Sequence, residues 1–301
     1  MKSRIIFIFL FVVQLALAKN IVFPSDSAKR MNTRRIVFAT GAGAAATGSL
    51  IYLNEAWYRS YATSSFHFFN DNSEWLQMDK VGHAFSCYQI GRLMMGSMRW
   101  AGFTEKQSLY IGGTSGLMYM TAIEILDGRS AGWGFSWGDM CANATGTSLF
   151  IVQQACWKEQ RISLKFSFHQ TNLWQYRPNL LGNSLSEQIL KDYNGQTYWL
   201  SVNIHSFFKQ SKIPAWINLA FGYGANNMIG ANNYVYVTKD GRVIGNDRYR
   251  RYLLSLDVDL TKIKTRSRFL KGLFSAVNFI KIPFPAIEFS NGKMGGYLLY
   301  Y

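Results

Sequence analysis

The sequence predicts an α+β fold in which an N-terminal four-helix module is followed by antiparallel β-strands. Two observations support this. Residues 35–157 space their apolar and small side chains with a helical period, whereas residues 161–301 alternate apolar and polar side chains with a period of two. The strand region is expected to form a small outer-membrane-type β-barrel or a curved sheet.

The N-terminus has the three parts of a cleavable export signal. Lys2 and Arg4 give a positive start, Ile5–Leu17 is almost wholly apolar, and small residues precede the expected cut after Ala18. The apolar run is too short to cross a hydrocarbon core of roughly 30 Å as a helix. We therefore expect an exported chain whose mature form begins at Lys19. An uncleaved anchor is the alternative.

Composition limits the partners of the chain. It has 301 residues, a net charge of +15 and 16% aromatic residues. Nucleic acid is a poor partner for an exported protein, so the expected partners are outer-membrane lipids or other envelope proteins. Three cysteines are an odd and sparse set and do not make a disulfide scaffold. Nothing in the sequence indicates an oligomeric state.

The first predicted helix of the module, Ile36–Leu53, is uncharged and rich in small residues. Gly41 and Ala45 are four residues apart, as are Ala44 and Gly48, and this spacing lets a neighbouring helix approach closely. We interpret the segment as a buried helix of a tight bundle. A membrane span that would hold the chain in the inner membrane is the alternative.

Three further helices complete the module. Met78–Ala101 ends before Gly102, and the next helix runs from a capping box at Thr104 to Leu126. Ser136–Trp157 is the last helix. It carries a ridge of small residues at every fourth position: Gly138, Ala142 and Gly146.

Polar side chains interrupt this apolar background, and we take seven of them as a candidate site: Asp79, Lys80, His83, Glu124, Asp127, Asp139 and Asn143. Their spacing of three or four residues places pairs on shared helix faces, so a compact bundle would bring them together. Buried carboxylates need partners, and Lys80, His83 and Arg129 are the available bases. We favour a polar network that fixes the register of the helices.

The same cluster supports a second interpretation. His83, Glu124 and Asp139 are candidate ligands for a divalent metal, or could poise a general base. No cofactor is otherwise predicted.

Three segments in the same order resemble a known family: Asp79–His83, Glu124–Gly128 and Phe135–Gly146. They are similar to an uncharacterised family described as a predicted periplasmic lipoprotein, which is itself distantly similar to VanZ-like helical proteins. The resemblance covers roughly residues 75–155 and implies no established reaction. The chain departs from the family label because no cysteine follows the expected cut.

Five runs in the second half alternate apolar with polar or small side chains: Ile162–Gln170, Tyr198–His205, Ile217–Gly224, Tyr252–Leu260 and Tyr297–Tyr301. Weaker runs occur at Tyr234–Val237 and Ala286–Phe289. This pattern and the terminal aromatic residue are typical of outer-membrane barrels, which predicts an outer-membrane protein facing the periplasm. A periplasmic antiparallel sheet packed on the helices is the alternative.

One segment between the strands, Thr265–Ile280, reads as a basic amphipathic helix. Such a helix can lie on an anionic membrane surface or pack against its own protein.

For function, the sequence favours a non-catalytic protein of the cell envelope with a structural, assembly or interaction role. The alternative is a hydrolase of an envelope lipid or glycan that works through His83, Glu124 and Asp139. That alternative lacks a nucleophile motif, because the chain has no G-x-S-x-G, H-E-x-x-H or P-loop. A third hypothesis is a conduit through a barrel lumen.

Overall fold

The computed structural model describes residues 33–58 and 61–301 and confirms the α+β class. The main helices are α1 (Thr33–Ala56), α2 (Met78–Trp100), α3 (Gly113–Asp127), α4 (Trp137–Trp157) and α5 (Arg268–Val277). Short helical segments lie at Glu74–Gln77, Glu105–Gln107, Ser108–Gly112, Leu173–Tyr176, Pro178–Leu181, Leu185–Lys191, Ile204–Phe207 and Leu260–Lys262. The export signal and its cut before Lys19 lie outside the described residues.

The strands are β1 (Ile162–Phe168), β2 (Gln196–Asn203), β3 (Ile217–Asn226), β4 (Tyr236–Val237), β5 (Val243–Ile244), β6 (Tyr249–Val258), β7 (Phe284–Ser290) and β8 (Lys293–Tyr300). Each of the five alternating runs overlaps a strand, and so do both weaker runs. Ends differ by a few residues where the chain turns helical, as at Ile204–Phe207.

Glycines bring α2, α3 and α4 into backbone contact. A Cβ on Gly146 of α4 would collide with the carbonyl of Ala84 on α2, and a Cβ on Gly116 of α3 would collide with the carbonyl of Cys87. Since no larger residue fits these crossings, the small-residue ridge predicted for the last helix does permit close packing.

Helix α1 is not buried, which contradicts the interpretation of Ile36–Leu53 as the inner helix of a bundle. Its apolar window is 0% buried, and by length and composition alone it could cross a membrane. A Cβ on Gly41 or Gly48 would meet nothing within 4 Å. Small residues at four-residue spacing allow close approach, but here the described residues place no neighbour against them.

Six strands form one antiparallel sheet in the order β1-β2-β3-β6-β7-β8, and β4-β5 form a separate hairpin. The sheet is open, so the prediction of a closed barrel was wrong and the curved sheet is what forms. Instead of pairing with β8, β1 forms a bridge from Phe166 to Ile280, in the segment before β7. Six strands are also fewer than the eight of the smallest usual barrel.

The two faces of this sheet are reversed relative to those of a water-soluble sheet. On the inner face, Lys165 and Asp257 form a 2.8 Å ion pair with both side chains 0% exposed, and Arg251 lies 2.7 Å from Glu288. The outer face carries large apolar side chains that are 41–54% exposed: Phe221, Tyr252, Leu254, Leu256, Ile287 and Phe289. Charge is therefore inside and apolar surface outside.

Packed side chains fill the inner face, where Trp199, Leu253 and Tyr300 belong to one buried cluster. The Lys281 ammonium lies 4.8 Å from the centre of the Trp199 ring. Within the described residues this packing leaves no lumen for the conduit hypothesis.

The first two strands join the sheet to the helical module, which packs on their outer face. Phe85 of α2 lies against the rings of Phe166 and Tyr198, with centroids 5.8 and 5.5 Å away. This contact holds the start of α2, which carries part of the candidate site, against the sheet.

Candidate functional site

The structure brings the seven sequence-predicted polar residues together at one end of the module. The start of α2 supplies Asp79, Lys80 and His83, the end of α3 supplies Glu124 and Asp127, and the start of α4 supplies Asp139 and Asn143. Helix α3 runs opposite to α2 and α4, so its end meets the starts of the other two.

Lys80 is the central cation of this cluster. Its Nζ lies 2.6 Å from Asp71 Oδ1, 2.9 Å from Asp139 Oδ1 and 3.8 Å from Asp79 Oδ2. Burial lowers the pKa of Lys80, but the neighbouring carboxylates raise it, and the net shift is upward. The ammonium therefore stays charged throughout the physiological range.

His83 lies beside Lys80 and is buried. Its Nδ1 is 3.1 Å from Asn143 Oδ1 and 3.6 Å from Glu124 Oε1, and its Nε2 is 3.7 Å from Asp79 Oδ1. Burial lowers the pKa of His83, whereas the carboxylates raise it, and the net shift is upward. The surroundings thus favour the imidazolium, which donates to Asn143.

Glu124 is the most deeply buried carboxyl of the cluster, with 1% of the residue exposed. Oε2 accepts the backbone N–H of Ser136 at 3.0 Å, while Oε1 is buried without a hydrogen-bond partner and faces His83. Burial raises the pKa of Glu124 to about 8, against a lowering effect of His83. Glu124 therefore holds a proton at neutral pH.

Two more carboxyl groups of the cluster have raised pKa values. Burial raises the pKa of Asp139 to about 7, and Asp79 adds to the effect. Burial also raises the pKa of Asp127 to about 7, although Tyr58 Oη donates to it at 2.7 Å.

The cluster has more acids than bases. Lys80 and His83 are its two bases, and its five carboxyl groups are Asp71, Asp79, Glu124, Asp127 and Asp139. Full ionisation would leave an excess of three negative charges in a largely buried space, which is strongly unfavourable. Protons or a further cation must compensate, and the raised pKa values of three of the acids correspond to protons.

Sequence reasoning missed several partners of the cluster. Ser136 Oγ caps α4 by accepting the Asp139 N–H at 3.1 Å, and it donates to Asp71 at 2.5 Å. Tyr193 Oη, from the chain after β1, donates to Asp79 Oδ1 at 2.8 Å. The N-cap position of Ser136 was visible in the sequence, but no spacing rule pointed to Asp71 or Tyr193. Arg129, which the sequence offered as a base, is exposed.

Three side chains of the cluster are placed so that they could bind a divalent metal. Asp79, His83 and Asp139 each offer one ligand atom, and these atoms lie within 4.8 Å of one another. Imidazole and carboxylate ligands suit zinc and other divalent transition metals. Of the ligands predicted from sequence, Glu124 is not in this set and Asp79 replaces it. A metal here would have to coexist with the Lys80 ammonium, which already binds Asp139.

The helical module is similar to a known family. Residues 67–155 match the sequence model of a family described as predicted periplasmic lipoprotein (DUF2279), which confirms the resemblance inferred from the motifs. The match covers less than a third of the chain. No curated protein and no solved structure matches the chain, and the similarity to VanZ-like proteins stays a prediction. Residues 67–155, which contain the polar cluster except Tyr58 and Tyr193, are thus similar to a periplasmic lipoprotein domain of unknown function, and this fits an exported protein of the cell envelope.

Proposed function

We propose that the chain is a non-catalytic protein of the outer membrane, in which the exposed part of the outer face, on β3, β6 and β7, contacts lipid and the helical module faces the periplasm. The observation that carries this proposal is the reversal of the sheet, with ion pairs such as Lys165–Asp257 inside and apolar side chains such as Leu254 and Ile287 outside. Membrane β-proteins alternate lipid-facing and interior side chains in this way.

Water is a poor solvent for this arrangement. Fully burying a large apolar side chain stabilises a protein by roughly 1.5–3 kcal/mol, and the outer face forgoes much of this gain at each of its large side chains. Contiguous exposed apolar patches mark contacts with membranes or partners. Lipid contact would bury the outer face, while the ion pairs on the inner face stay satisfied within the protein.

The polar cluster is assigned a structural role in this proposal. It joins all three packed helices, and Tyr193 connects it to the second half of the chain through Asp79. A buried polar network of this kind specifies how helices align. We infer that the cluster fixes the register of the module and its position against the sheet.

Charge substitutions on the two parts of the β region test lipid contact. Leu254→Arg places a charge at the centre of the outer face, and at a bilayer midplane this costs about 2–4 kcal/mol. Val237→Arg is the matched control, because Val237 is 61% exposed on the separate β4-β5 hairpin. We expect Leu254→Arg to leave the outer-membrane fraction of a density gradient and Val237→Arg to remain there.

If water covered the outer face, both arginines would be tolerated equally. Normal recovery of Leu254→Arg in the outer-membrane fraction would therefore contradict lipid contact.

The second candidate function is a metal-dependent hydrolase of an envelope lipid or glycan. It is favoured by the convergence of Asp79, His83 and Asp139. Elemental analysis of the purified protein tests it, with His83→Ala and Asp139→Asn as variants. Stoichiometric metal that is lost in variants with wild-type melting temperatures would favour the hydrolase over the network.

A further inference from the structure

Helix α5 exposes the apolar side that an amphipathic helix normally buries. No residue of the helix is buried, and Phe269, Leu270 and Leu273 are 75%, 36% and 42% exposed. Leu273 shares a face with the other two, since it is four residues from Phe269 and three from Leu270. The other apolar residues of the helix, Phe274 and Val277, are half-buried. The apolar stripe therefore packs on the protein along one edge only, and Phe269, Leu270 and Leu273 are left uncovered.

Hydrogen bonds at its C-terminal end attach the helix to the rest of the protein. Arg92 Nη1 donates to the carbonyl of Ser275 at 2.7 Å. Asn278 Oδ1, one residue beyond the helix, accepts the backbone N–H of Leu260 at 2.8 Å and the buried Lys165 ammonium at 3.3 Å. A backbone carbonyl and a residue just beyond the helix thus attach its C-terminal end to the protein, while Phe269 near its N-terminal end stays exposed.

Positive charges surround the exposed apolar face. Lys264, Arg266, Arg268 and Lys271 are all exposed on α5 or just before it. Among the described residues, no ion pair involves any of these four side chains. A partner that covers the face would therefore gain from carrying negative charge.

We infer that α5 lies flat on an anionic phospholipid surface, with Phe269, Leu270 and Leu273 among the acyl chains and the four cations at the phosphates. Apolar burial combined with attraction to anionic headgroups is how interfacial helices bind membranes. This inference rests on the proposed lipid contact of the sheet, because α5 lies in the connection between β6 and β7, two strands of its outer face.

Charge is the reason to choose lipid over a protein partner. An apolar protein groove would be satisfied by the three apolar side chains alone and would gain nothing from four unpaired cations. An anionic bilayer would bury the three apolar side chains and pair the four cations at the same time. It is also the environment proposed for the neighbouring strands.

Vesicle flotation with the full-length protein, diluted from detergent, tests the inference. One vesicle type is phosphatidylcholine alone, and the other contains anionic phosphatidylglycerol as well. Each basic residue near an anionic surface contributes about 1 kcal/mol, or about five-fold in partitioning. We therefore expect Arg268→Gln/Lys271→Gln to lower binding to the anionic vesicles about 30-fold, with little change on neutral vesicles.

The matched control removes the same charge elsewhere. Lys106→Gln/Lys239→Gln alters two exposed lysines, one in the helical module and one in the β4-β5 hairpin region. It should retain the preference for anionic vesicles. Phe269→Ser/Leu273→Ser should weaken binding to both vesicle types, because it removes apolar contact and leaves the charge unchanged.

The possible failures can be distinguished. Wild-type protein that floats equally with both vesicle types overturns the inference about α5 and leaves the sheet proposal intact. Protein that floats with neither type contradicts both. If the control loses binding as strongly as the helix variant, net charge is responsible and α5 is not the contact. A change of oligomeric mass in Phe269→Ser/Leu273→Ser, with vesicle binding unchanged, would show that another copy covers the face.

Discussion

Replacing Glu124 with glutamine should make the stability of the protein less dependent on pH. Between its ordinary pKa of 4.5 and its folded pKa of about 8, this carboxyl is ionised in the unfolded chain and protonated in the folded protein. The folded state then binds more protons, so stability falls as the pH rises through this window. Asp127, Asp139 and His83 have raised pKa values and act in the same direction.

The size of the effect follows from the pKa. One pKa unit corresponds to about 1.4 kcal/mol, so Glu124 alone should cost the folded state about 3 kcal/mol between pH 5.5 and pH 8. This is an upper bound, because the neighbouring carboxyls share the same excess of protons. The Glu124→Gln substitution would keep an acceptor for the Ser136 N–H and remove the ionisation. Between pH 5.5 and pH 8, the free energy of unfolding of the variant should therefore fall by up to about 3 kcal/mol less than that of wild type.

Thermal melts at a series of pH values measure this difference, which corresponds to about 6–12 °C in melting temperature for a protein of this size. Glu105→Gln is the control, since Glu105 is half exposed in the same module and paired with Arg99. It should not flatten the pH profile. Parallel profiles for wild type and Glu124→Gln would refute a buried protonated carboxyl.

Other substitutions test the network and the packing. His83→Ala should lower stability by about 1–3 kcal/mol, because it leaves Glu124 and Asn143 without their buried partner. Thermal melts measure this loss, and elemental analysis of the same protein separates it from the loss of a metal. Gly146→Ala should cost about 1–3 kcal/mol by overpacking against α2, whereas Gly41→Ala should be neutral or slightly stabilising, and the two melting temperatures check this. Deleting Tyr297–Tyr301 should abolish membrane assembly and leave a protease-sensitive form, because the buried Tyr300 bonds Thr197 at 2.8 Å and Arg251 at 3.0 Å. Tyr301→Ala alone should assemble normally, and membrane recovery decides both.

The sequence predicted the positions of helices and strands better than it predicted which of them pack or pair with one another. Period-two alternation located every strand of the main sheet, since which face a side chain occupies is a local property of a strand. Whether those strands close into a barrel depends on strand number and edge pairing, and the Phe166–Ile280 bridge has no local signature. For α1, the spacing of small residues was real, but the same spacing suits a protein neighbour and a lipid-exposed helix alike.

The candidate site was predicted only in part, because some of its contacts join residues that are distant in sequence. Pairs such as Asp79 and His83 are four residues apart on one helix, so their shared face could be read directly. Tyr193 lies after β1 in the chain, and no sequence pattern predicts its hydrogen bond to Asp79. The raised pKa of Glu124 depends on burial beneath three helices, which exists only in the folded molecule.

The alternation within the strands also bears on how such a chain would reach a membrane. Strands of seven to ten residues, as in β1 and β3, never supply the run of about 20 apolar residues that partitions into a bilayer as a helix. The unfolded β region, with polar residues at every second position, can pass through a translocation channel without being retained in the first membrane it meets, unlike the long apolar run of α1. Only when β3, β6 and β7 pair do Phe221, Leu254 and Ile287 become neighbours on one surface. The affinity of the β region for lipid would then be acquired by folding, after its crossing is complete.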